Sequence, residues 1–139
     1  MKIQGFTLIE LLCTLTIIAI LSCFAYPSYV SAMVKLKRLE AKSALIELQN
    51  NYERYFVLHR SYEDATIGKK KNSIFHSDTT LDGNYQLEIT KKESSYYLLT
   101  AKPLSVAAQQ DKACGSFTLN NLGEQGITGT GDAYKCWHP

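Results

Sequence analysis

The chain has 139 residues, 45% of them hydrophobic and 20% charged, with 15 basic and 13 acidic side chains and a net charge of +2. Once a membrane segment of about 20 residues is set aside, only one small soluble domain fits, so a second domain is excluded. The charge is too balanced to advertise a nucleic-acid binder by itself.

In chain order, a five-residue leader with one lysine, Lys2, precedes an apolar stretch over residues 6–26 that a single carboxylate, Glu10, interrupts. As a helix the stretch would span roughly 30 Å. A secretory signal peptide would end its apolar core at a small-residue cleavage site, whereas here the apolar run leads into a helical pattern. An ionised carboxylate at depth in a membrane helix costs about 2.5–3.5 kcal/mol, so Glu10 needs a partner. Cleavage after Gly5 would create an amine on Phe6, four residues before Glu10, that answers it from the same chain or from a neighbour offset along the axis. The alternative is a Glu10 that sits near the headgroups and faces water. Lys2 before the span and Lys35, Lys37 and Arg38 after it do not orient the helix by the positive-inside rule.

Pro27 follows the apolar run, where a ring without an N–H is expected to kink the helix without ending it. Val30, Val34, Ala41, Ala44, Leu45, Leu48, Tyr52, Tyr55 and Phe56 recur at three- and four-residue spacing, with Lys35, Lys42, Glu47, Asn51 and Arg54 interspersed. One helix from about 6 to about 58 follows, membrane-embedded in its first half and amphipathic in its second, with the aromatic positions expected in a core. Residues 60–83 read as a long connection with little structure of its own, containing the run Lys69, Lys70, Lys71 and the turn Asp82-Gly83. Alternation over 84–90 and 95–100 reads as a hairpin, 115–120 as a third strand and 123–127 as the start of a fourth. The sheet must cover its apolar face, and the stripe on the second half of the helix is the available partner. The expected fold class is therefore α+β, a long N-terminal helix packed against a small antiparallel sheet.

Four cysteines divide into two pairs. Cys13 and Cys23, about 15 Å apart along a helix, cannot bridge within one chain and are expected as buried thiols. Cys114 and Cys136 read as a disulfide, which implies an oxidising compartment; closing their loop is worth about 3 kcal/mol in the chain-entropy model. With His138 as the one nearby ligand, the pair falls short of a zinc site. No cofactor and no metal are expected.

The segment Gly5-Phe6-Thr7-Leu8-Ile9-Glu10 resembles the class III leader junction of type IV prepilins and type II secretion pseudopilins. The resemblance implies that a prepilin peptidase cuts between Gly5 and Phe6 and N-methylates Phe6. It also implies that Glu10 neutralises the Phe6 amine of an adjacent subunit and sets axial register. The stretch 38–62, with Tyr97 to Ala101, Cys114-Gly115, Leu119-Asn120, Gly123-Glu124 and Cys136-Trp137, is similar to PilE-like minor pilins of type IVa systems; type II pseudopilins share the first segment and usually lack the cysteine pair. The implied organisation is a leader over 1–5, a transmembrane and filament-core helix over 6–27, and a pilin head over 28–139. The sheet of the head lies within 84–127 and its disulfide-bounded region is 114–136.

Three classes of function compete. The first is a structural subunit, a minor pilin held in the bacterial inner membrane and then built by the pilus assembly machinery, with other pilins, into an extracellular filament for adhesion, twitching motility or DNA uptake. The second is a DNA receptor on the pilus, using Lys69, Lys70 and Lys71 with Lys91, Lys92 or Lys135 as a basic patch and Tyr96 or Trp137 for stacking. A type II secretion pseudopilin is a further alternative. An enzyme fits worst: there is no nucleophile elbow, phosphate loop or metalloprotease motif, and His59, His76 and His138 are scattered.

Overall fold

The computed structural model describes residues 6–69 and 71–138. It falls into two compact units, Met1–Met33 and Val34–Pro139.

The first unit is helical. Helix α1 is assigned over Leu8–His59, so its first 26 residues lie in this unit, with Pro27 inside the assignment. Thr7 precedes the helix and its carbonyl accepts from the amides of Glu10 and Leu11. The hydroxyls of Thr14, Thr16 and Ser22 fold back onto the carbonyls of Leu11, Leu12 and Ile18. A sequence with few polar groups thus satisfies them within the helix, as a lipid-facing segment must.

The second unit holds the rest of α1 and all the strands: β1 (Thr66–Ile67), β2 (Ser73–Phe75), β3 (Tyr85–Lys92), β4 (Tyr97–Pro103), β5 (Phe117–Asn120) and β6 (Gln125–Ile127). Two short helices join them, α2 (Val106–Gln109) and α3 (Ala133–Trp137). The main sheet is antiparallel with order β3-β4-β5-β6. Its inward register pairs Leu87 with Ala101, Leu99 with Leu119 and Ala101 with Phe117. Those side chains, with Tyr85 and Tyr97, are buried together with Ala41, Ala44, Leu45, Leu48 and Tyr52 of α1, so the helix stripe and the alternating strands form one core.

Several features depart from the sequence reading. The 60–83 connection carries β1 and β2, paired in parallel, with left-handed residues, Gly68 at φ +79 and Asn72 at φ +59, at the two ends of the tight link between them. Arg60 at φ +59 ends α1, its amide bonded to the Phe56 carbonyl, a left-handed helix stop made without glycine. Lys42 is not on the polar side: it is buried, and its ammonium donates to the Trp137 carbonyl at 3.0 Å, so its stem packs while its charge finds an oxygen. Cys13 and Cys23 are exposed in the single chain, against the expectation of buried thiols.

Candidate functional site

The N-terminal part of α1 contains a window long and apolar enough to cross a membrane, and none of that window is buried within the chain. Its acid has a local role that the sequence reading missed. Thr7 and Glu10 stand at the spacing of a capping box, and the Glu10 carboxylate lies 3.5 Å from the Thr7 amide and 3.4 Å from its hydroxyl. The carboxylate therefore faces the positive end of the helix. The signal was present as a threonine three residues before a glutamate at the start of an apolar run. Phe6 is exposed; Gly5 lies outside the described residues.

In the head, the disulfide joins Cys114 to Cys136, with Cα atoms 5.7 Å apart. The Trp137 indole donates to the Gly126 carbonyl on edge strand β6, and Arg38 forms a two-pronged ion pair with Asp111 at 2.7 and 2.9 Å. Burial of Lys42, with Arg38 nearby, holds its pKa below the ordinary lysine value. Near the end of α1 the Glu53 carboxylate accepts from the hydroxyls of Tyr62 and Tyr97. Burial and then Glu53 push Tyr62 up to about 12, and burial brings Tyr85 to about 12. Among the described residues, no three His, Cys, Asp or Glu side chains gather as a metal site would need.

The basic residues singled out from sequence do not form one patch. Lys69 and Lys92 line a cleft of about 690 Å³ between the β1 segment and edge strand β3, with His76, Asp78 and Glu88. Lys92 also donates to the Ala65 carbonyl, and Glu88 is paired with Lys102. Lys71 is exposed nearby in sequence, its carbonyl accepting from the Thr66 hydroxyl; Lys70 lies outside the described residues. Lys91 pairs in register with Leu98 and Lys92 with Tyr97, so the two lysines leave β3 on opposite faces. The Lys91 ammonium sits 3.2 Å from Glu93 and 5.2 Å from the centre of the Tyr96 ring. Lys135 belongs to α3, which packs at β6, the other edge of the sheet.

Trp137 is excluded as a stacking platform, because it is 4% exposed and packs against Phe117. The exposed aromatic near Lys135 is Tyr134 on the same helix, which the sequence reading did not single out. One turn of helix buries Trp137 and presents Tyr134, and so short a helix leaves no periodicity to read.

A family model described as type IV minor pilin ComP, DNA uptake sequence receptor, matches residues 27–118. The prokaryotic N-terminal methylation motif matches residues 1–26. Among solved structures, one chain of the Neisseria meningitidis non-core minor pilin PilV is similar, at 19% identity and a TM-score of 0.47, over 70% of this chain and 91% of that one. No curated protein matches by sequence.

Proposed function

This chain belongs to the ComP family of type IV minor pilins, and from that premise we propose that its head is a DNA receptor carried on the pilus. The observation that carries the reading is the extent of the match, residues 27–118. It takes in most of the head and lies wholly beyond the N-terminal segment, residues 1–26, that pseudopilins would share. The cleft face with Lys69 and Lys92 falls inside that match and α3 falls outside it, which favours phosphate contact by Lys69, Lys71 and Lys92 over contact by Lys135. Lys70 joins them on the strength of its place in the run.

Such contacts release counterions, so affinity falls steeply with salt. A gel-shift titration of the purified protein on duplex DNA tests this. Substituting Lys69, Lys70, Lys71 and Lys92 together by alanine is expected to flatten the log–log salt slope by about one for each phosphate contact removed, while Lys135→Ala leaves it unchanged. Absence of binding at low salt would remove the receptor reading and leave a minor pilin with a structural role.

Assembly in this proposal follows cleavage between Gly5 and Phe6 by a prepilin peptidase and N-methylation of Phe6. The subunit then leaves the inner membrane for an extracellular filament, and Glu10 meets the Phe6 amine of a neighbouring subunit. The apolar window supports this, as does the Glu10 carboxylate beside the Thr7 amide of its own chain, one residue from the amine that cleavage would create. Glu10→Gln keeps the cap's shape without its charge and is expected to be cleaved normally but recovered poorly in sheared pili. Recovery equal to wild type would refute the register role.

A further inference from the structure

We propose that, in the unassembled subunit, the end of the head where α1 enters is a docking surface for the anionic face of the membrane. Three residues outside the sheet carry the proposal: Leu81 is 100% exposed, Val106, which starts α2, 75% and Leu104 47%. They lie on two segments that hydrogen bonds tie to the start of the head's part of α1. The Glu40 carboxylate accepts from the Asp82 amide and the Asn84 side chain, and the Asn84 carbonyl accepts from the amides of Leu104 and Ser105. Beside α2, Asp111 returns to Arg38. The packing of the core makes no use of these three side chains, and apolar side chains grouped at one end are an interaction surface more often than an accident.

The charges around them select the partner. Lys35 and Lys112 are exposed and Lys37 is half-buried, all near this end in sequence or through the Arg38–Asp111 pair. Of the acids, Glu40 is occupied by two donors and Asp111 is neutralised by Arg38, which leaves Asp82 exposed beside Leu81 and Glu47 exposed about two turns further along α1. Apolar tips rimmed by lysines suit the boundary of anionic headgroups and acyl chains. The chain supplies proximity: Lys35 is nine residues beyond Tyr26, where the apolar stretch ends, so only a short tether separates them in sequence. The inference rests on the reading that this stretch is membrane-embedded.

The test uses the full-length chain in vesicles of phosphatidylcholine and phosphatidylglycerol whose acyl chains are brominated near the headgroup, with Leu81→Trp and Val106→Trp as reporters. Native Trp137, buried against Gly126, gives the background. Leu122→Trp is the control: it lies in the β5–β6 turn next to Asn120, whose carbonyl is bonded by Gln49, eleven residues beyond Arg38 and so roughly 16 Å along the helix. The expected result is quenching and a blue shift at 81 and 106 but not at 122, weakened by salt, by neutral lipid, and by Lys35→Glu with Lys37→Glu. Hydrogen exchange of the unmodified protein should slow at 80–83 and 104–107 in vesicles relative to detergent. Quenching at 81 and 106 no greater than at 122, in protein that floats with the vesicles, overturns the proposal. So does protection that arises only when subunits are crowded, since a second copy is then the occupant. Failure to float overturns the membrane reading and this inference with it.

Discussion

Removing the disulfide by replacing Cys114 and Cys136 together with alanine tests whether loop closure stabilises the head. The cysteines are 22 residues apart, and the chain-entropy model gives about 3.4 kcal/mol at 25 °C for a loop of that length. The enclosed segment has other anchors: the Trp137 indole on Gly126, the Lys42 ammonium on the Trp137 carbonyl, and the Gly129 and Gly131 amides on the carbonyls of Cys114 and Ala113. These hold the segment in the folded state, whereas the covalent bond also restricts the unfolded one. The expected loss is therefore close to the full loop term, a fall in melting temperature of roughly 12–25 °C for a unit of this size. The assay is thermal and urea unfolding of the full-length chain in mild detergent, followed by near-ultraviolet circular dichroism from the core tyrosines. Because Cys114 and Cys136 are both buried, reduction of the wild-type bond under native conditions should track unfolding. A loss below about 1 kcal/mol would refute the loop-closure reasoning.

Two further outcomes follow from the head's packing. A Cβ on Gly129 would stand 2.2 Å from the Ala113 carbonyl oxygen, a clash with backbone that cannot swing aside; Gly129→Ala is expected to cost about 1–3 kcal/mol, read by the same unfolding curves. Tyr52, Tyr62, Tyr85 and Tyr97 all have raised pKa values, chiefly through burial. In the folded state they keep protons that the unfolded chain gives up above about 10, so their contribution is complete below pH 10 and is lost as pH climbs, through about 12 for Tyr62 and Tyr85 and higher for Tyr52 and Tyr97. Of the nine tyrosines, these four should ionise late and together with unfolding in a phenolate absorbance titration; simple early titration of all nine would contradict the burial.

Much of the architecture was legible because it is periodic. The stripe Ala41, Ala44, Leu45, Leu48 and Tyr52 repeats at helical spacing, and β3, β4 and β5 alternate; both kinds of element need an apolar face covered, which fixes their mutual packing. Residues whose position depends on partners distant in sequence were not legible. Lys42 reads as a surface lysine until the Trp137 carbonyl arrives beside it, and Trp137 reads as an exposed terminal aromatic until the disulfide draws it onto β6. Which lysines could act together was hidden for a related reason: Lys69 and Lys92 share a cleft that only the fold brings about. Lys91 and Lys92 are neighbours in sequence, but a strand sends neighbours to opposite faces, and α3 carries Lys135 to the far sheet edge.

The bond from Lys42 to the Trp137 carbonyl spans 95 residues, and that span sets an order of events during synthesis. The helical stripe leaves the ribosome first, yet the strands that cover it and the turn that receives its buried ammonium are made only later. The head therefore cannot close on the nascent helix alone, and Ala41, Leu45 and Leu48 must wait uncovered until the strands and the α3 turn have been made. A chain built this way needs shelter for its greasy rod in the interval before its own sheet can provide it.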